Sequence, residues 1–117
     1  MRPIPKKLRE DMASDPYYKK CCITGLGDVE FHHNLIFAGR QVNEKFCILP
    51  LNKEVHRNIV KYKTRCDWIM WSRATPKEIE TYSKAYGYKQ LMGRISALKN
   101  NYGEYRESDP KSYIAIS

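Results

Sequence analysis

The sequence predicts an α+β fold in which a short antiparallel hairpin leads into a helix and a small helical subdomain follows. Three observations predict it. "VEFHH" alternates apolar and polar residues from Val29, as a half-buried strand requires, and "FCILPL" is an apolar run of strand length with a β-branched member. From Val55 the apolar residues change to helical spacing. "TPKE" then carries the start signals of a further helix. A chain of 117 residues is one domain's worth. The expected division is a single domain over 1–117, with a hairpin-and-helix core over 20–72 and C-terminal helices packing on it over 75–101.

Taken in order, Pro3, Pro5 and Pro16 limit any helix in the basic lead-in to roughly Lys6–Ala13. Gly25 and Gly27 in "TGLGD" supply a turn before the first strand, which closes on His32 and His33. "IFAGRQVNEK" reads as a loop around Gly39, and Pro50 is expected to stop the second strand. Asn52 is the N-cap of the helix after it, and Glu54 suits the positive end of the helix dipole. Val55, Ile59, Tyr62, Cys66 and Ile69 share one face of that helix. Thr75 caps the next, Pro76 takes its first position and Glu78 closes a capping box. This helix turns Ile79, Tyr82 and Tyr86 inward and ends at Gly87. Leu91, Ile95 and Leu98 stripe a last helix to about Asn100, and "SYIAIS" could add a final strand. Core packing accounts for these stripes and for Trp68 and Trp71, whereas Tyr17 and Tyr18 could stack on nucleobases.

Composition narrows the function classes. Apolar residues make up 42% of the chain and tyrosines number 9, so the composition is not that of a disordered protein. No apolar run approaches the ~20 residues of a membrane span. "MRPIPKKLRE" has no apolar core behind it, so no signal peptide is read, and a cytoplasmic location without membrane partners is expected. Against 13 acidic residues stand 21 Lys and Arg, a formal charge of +8. That excess favours a polyanion, because neutralised phosphates release condensed counterions. Arg40, Lys45, Arg57 and Lys61, around the histidine-bearing segment, are the candidates to contact nucleic acid. The cysteines form no two-residue-spaced pair, which points to reduced thiols rather than a four-cysteine zinc site.

All 3 histidines, His32, His33 and His56, lie between Val29 and Ile59, two at the end of the first strand and one in the opening turns of the first long helix. Imidazole is the commonest transition-metal ligand and the commonest general base near neutral pH. A phosphodiester repels nucleophiles, so its hydrolysis calls for a base to deprotonate water and a cation to stabilise charge on the departing oxygen. One histidine for the first task and two for the second would suffice. Successive strand residues point to opposite faces, so the strand must end or twist at His32 and His33 for both to serve one site.

Here the chain resembles the HNH nuclease module, the ββα-metal finger of homing endonucleases, bacterial toxins and many phage proteins. The likeness lies in "HH" closing the first strand, "ILPL" as the second, "VHRNI" entering the helix, and "CCITG" upstream, and it covers about Lys20 to Val60. It implies a metal-dependent endonuclease acting on DNA, with His33 as the base and His32 and His56 holding a divalent cation. Mg²⁺ is the expected cation, with Mn²⁺, Ni²⁺ or Zn²⁺ as alternatives. The structural zinc of many members is not expected, because Cys22 lacks a partner two residues on. Cys47 stands where the family carries its middle asparagine; Asn43 is the nearest candidate to fix the loop and orient the base, and Asn34 a poorer one. Short phage members that work with recombination or packaging proteins make such a protein partner an expectation beside DNA. Two other readings compete: a non-catalytic DNA-binding protein keeping the finger as scaffold, and a structural zinc module using His32, His56 and one of Cys21, Cys22 or Cys47.

Overall fold

Two antiparallel strands, β1 (Val29–His33) and β4 (Ile48–Asn52), hold the centre of the protein, paired from Val29↔Asn52 to His33↔Ile48. The computed structural model describes residues 3–107 and 113–114. Over them the fold is α+β, with α1 (Lys6–Ala13) before the strands and α2 (Lys53–Arg57), α3 (Ile59–Arg73), α4 (Pro76–Tyr86) and α5 (Tyr88–Tyr102) after them. The final strand expected over 112–117 falls, apart from Tyr113 and Ile114, outside the described residues.

β4 reads as a continuous apolar run because both of its faces are covered. It lies between α3 and a 3-10 turn, Pro16–Lys19, and Ile48, Leu49 and Leu51 are each 0% exposed. The same packing corrects the expectation for Tyr17 and Tyr18. Both are buried: the single proton of the Tyr18 hydroxyl is shared between the carbonyls of Lys45 and Ile48, at 2.7 and 2.9 Å, and the Arg73 guanidinium lies over the Tyr17 ring. Neither ring is open to stack on a base. Trp68 and Trp71 are buried too, as packing on α3 predicts.

Pro50 does not end the second strand. It sits inside β4 opposite Phe31, and its carbonyl, on the side away from β1, accepts from Cys22 N–H at 2.9 Å. The N–H and C=O of one strand residue point the same way, so the donor that proline lacks faces away from β1 and costs the ladder nothing. The segment read as a loop also has structure of its own. β2 (Ile36–Phe37) and β3 (Arg40–Gln41) pair across Ala38 and Gly39, at φ +52° and +76°. Positive φ at both central residues is the mark of a type I′ hairpin turn.

The long helix expected after Asn52 is broken into α2 and α3 at Asn58, which has φ −108° and ψ 33°. Its side-chain amide donates to the Glu54 carbonyl at 2.8 Å, competing with the backbone for a helical acceptor. The other start signals read true. Asn52 Oδ1 accepts from Glu54 N–H, and Thr75 and Glu78 form the capping box of α4. Gly87, at φ +88°, ends that helix and begins α5. α5 packs on α3 through Leu91, Ile95 and Leu98, with the Tyr102 ring stacked on Trp68. The four cysteines are free and buried, and burial pushes the Cys66 thiol up to about 12.

Candidate metal and catalytic site

α2 is fastened at the mouth of the hairpin. Asn52 ends β4 and caps α2 at once; its Nδ2 donates to Gly27 O at 2.8 Å, and Lys53 N–H donates to Asp28 O at 3.3 Å. One turn later His56 therefore reaches back over the first strand. Its Nδ1 donates to Glu30 Oε1 at 2.9 Å, and its ring lies 5.2 Å, centroid to centroid, from that of His32. Glu30 and His32 are two residues apart on β1 and share the face that α2 covers. His32 Nε2 lies 3.2 Å from Asn34 Oδ1, the next residue in that alternation. Burial, then the neighbouring His56, lowers the His32 pKa to about 4, with Lys63 and His33 adding to the effect and the Asn34 hydrogen bond opposing it. At neutral pH this ring is uncharged, the state in which imidazole binds a metal.

β1 stays in regular register with β4 through His33, paired with Ile48. Against the one-site expectation, the His33 side chain therefore leaves on the opposite side of the pleat from His32, and it meets the loop after β3. Its Nε2 lies 2.7 Å from Asn43 Oδ1, while Asn43 Nδ2 donates to the Pro3 carbonyl at 3.0 Å. A carbonyl only accepts, so Pro3 fixes which way the amide faces, and the amide oxygen in turn requires a proton on His33 Nε2. In the neutral ring that leaves the lone pair on Nδ1. Glu30 does the same for His56: an ionised carboxylate only accepts, so Nδ1 carries a proton and, in the neutral ring, the lone pair is on Nε2.

The donor set suits a divalent cation. Two imidazole nitrogens about 2.1 Å from one ion, at the ~90–109° of octahedral or tetrahedral geometry, leave ring centroids about 4.6–5.3 Å apart. The observed 5.2 Å lies in that range, and equally in that of the edge-to-face contact the two rings make at 67°. The Glu30 carboxylate behind His56 is the kind of outer partner that orients a ligating imidazole. Among the described residues no group of three His, Cys, Asp or Glu side chains is placed to hold a metal, so the pair would leave most coordination positions to water and substrate. A structural zinc centre would need a third ligand, and Cys21, Cys22 and Cys47 are buried in the core instead.

Of the four basic residues singled out in the sequence, two lie against this cluster. Arg57 lines a shallow cleft of about 320 Å³ with Glu30, Lys53 and His56, and Arg40 lines one of about 540 Å³ beside Asn43. Lys61 is exposed on α3. Lys45 is committed within the fold, its ammonium 2.9 Å from Asp15 and 3.3 Å from Asp11, so a phosphate would have to displace two carboxylates. The sequence reading did not single out Glu30 or Lys63, an exposed cation close enough to depress the His32 pKa, and it weighed Asn34 only as a poorer candidate to orient the base. A signal was there: positions 30, 32 and 34 are polar at two-residue spacing, one face of a strand.

Comparison of the chain with known protein families, with curated proteins and with solved structures finds no match. Among the described residues no helix is long and apolar enough to cross a membrane.

Proposed function

We propose that this protein is a metal-dependent endonuclease of the HNH type that hydrolyses DNA phosphodiester bonds, with β1, β4 and the α2–α3 helices as its ββα-metal finger. The observation that carries the reading is the state of the three imidazoles. Each has one ring nitrogen engaged by an oxygen acceptor, which leaves one nitrogen of each ring for a proton or a metal.

His33 Nδ1 takes the proton of the attacking water as its oxygen bonds to phosphorus, and the bond to the departing ester oxygen breaks. Asn43, held by the Pro3 carbonyl, keeps the ring in the tautomer able to do this. His32 and His56 would hold the divalent cation, which when bound supplies positive charge to the departing oxygen. Arg57 and Lys53 beside His56, Lys63 near His32 and Arg40 near Asn43 set positive charge around the cluster, where phosphates of the backbone would lie. The chain's charge of +8 agrees with such a substrate. The expected location remains the cytoplasm, of the host if the protein is phage-encoded.

The test is nicking of supercoiled plasmid with Mg²⁺, Mn²⁺, Ni²⁺ or Zn²⁺. Wild-type protein should nick, EDTA should stop it, and His33→Ala should fold and bind DNA yet lose about 10²–10⁴-fold in rate. Asn43→Ala should lie between the two. Wild-type protein that binds DNA but nicks with none of these metals would overturn the nuclease reading.

A further inference from the structure

Behind His32 a chain of polar groups runs outward through two helices. Asn34 is 6% exposed, and its backbone N–H donates to Cys47 O at 2.8 Å, just beyond the last β1–β4 pair. Its side-chain Nδ2 donates to Asp67 Oδ1 on α3 at 2.9 Å and lies 3.5 Å from Met70 Sδ, while Oδ1 faces His32 Nε2. The other oxygen of Asp67 accepts from Arg94 on α5 at 3.0 Å.

The direction of this chain is set from its outer end. Arg94 can only donate, and the ionised Asp67 between it and Asn34 can only accept. Asp67 must therefore meet the NH₂ end of Asn34, which turns the amide oxygen to His32. An amide oxygen only accepts, so the proton sits on His32 Nε2. We infer that Asp67 and Asn34 are positioning residues for His32: they select its Nε2–H tautomer and leave Nδ1 as the nitrogen that takes a divalent cation, with Arg94 clamping the carboxylate from α5. The consequence for metal binding rests on the proposed function. The tautomer does not, since it belongs to the metal-free protein.

Asp67→Asn should reverse the chain rather than merely weaken it. Arg94 would still require an oxygen, so the new amide would turn its nitrogen toward Asn34, whose own nitrogen would then face His32. Long-range ¹H–¹⁵N spectra of the full-length, metal-free protein at neutral pH read the tautomer directly. Wild-type His32 should be in the Nε2–H form and Asp67→Asn should move it to Nδ1–H, with the spectra of His33 and His56 unchanged. A general structural loosening would not single out one ring. Affinity for Ni²⁺ or Mn²⁺, measured by calorimetry, should fall about 10- to 100-fold in the variant. Asp67→Ala, which removes the acceptor without adding a donor, serves if Asp67→Asn does not fold, and should leave His32 in a mixture of tautomers. An Nδ1–H wild-type ring, or a folded Asp67 variant with an unchanged His32 tautomer, overturns the inference. The expected tautomers with no metal binding would sink the metal reading and leave the positioning role standing.

Discussion

At His32, neutrality is imposed by place. The ring is set under α2, beside His56 and within reach of Lys63, and these surroundings penalise its cation. The folded pKa of about 4 lies below the ordinary 6.5, so between those values the unfolded chain binds more protons. This contribution to stability is therefore fully present above about 6.5 and is lost as pH falls toward 4, by less than about 3.4 kcal/mol because the ring is only partly buried and solvent screens its cation. Urea unfolding across this range with a chelator present should show that acid limb, and His32→Gln should flatten it. That His32 and His33 stand together at the end of a strand was legible in the sequence. Which nitrogen of each ring is free was not, because Asn43, Pro3, Asn34 and Asp67, which decide it, are spread over the chain and over separate elements.

Among elements, the strands and helix starts follow local rules, and the departures have local causes that a pattern search overlooks. Asn52 and Thr75 cap their helices through their own side chains, which is chemistry read within a few residues. Asn58 breaks a helix by the same kind of bond in the wrong place, and periodicity carries no trace of it. Pro50 is harmless because of the side on which its missing donor falls, a property of pairing rather than of proline. Gly25 belongs to this scale as well. It has φ +76°, and a Cβ there would come 2.6 Å from the Tyr113 ring, next to the Ile114 N–H that donates to Ile23 O. Gly25→Ala combines the left-handed penalty of about 1–2 kcal/mol with that overlap and should lower the Tm. A Tm equal to that of wild type would show that neither constraint operates.

For the whole molecule, the helical subdomain has two tasks. Its stripe closes the core on α3, and its Arg94 reaches Asp67 and so the back of His32. The net charge acts at this scale too. On the proposed function, DNA affinity should fall steeply with salt, and removing one phosphate contact should reduce the log–log slope by about 0.9. Arg57→Ala and Lys63→Ala should each do so in a binding titration across salt concentrations, Arg57 being an exposed side chain with one exposed partner, Glu54, whereas Lys45→Ala, whose ammonium is half-buried between two carboxylates, should leave the slope unchanged.

Legible in the sequence were the α+β class, a strand before and a strand with a helix after the loop around Gly39, and the gathering of every histidine near one hairpin, but not the β2–β3 pairing within that loop or the helix break at Asn58. The legible features follow from alternation, helical spacing and capping, which act over a few neighbouring residues. The packing of distant segments decided that His56 meets His32 across the strand, that Asn43, the asparagine the sequence already favoured, is held against His33 by the Pro3 carbonyl, and that Lys45 is spent on Asp11 and Asp15. Hydrogen bonds and ion pairs reach only a few ångströms, and which groups come within that reach is settled by how distant segments pack.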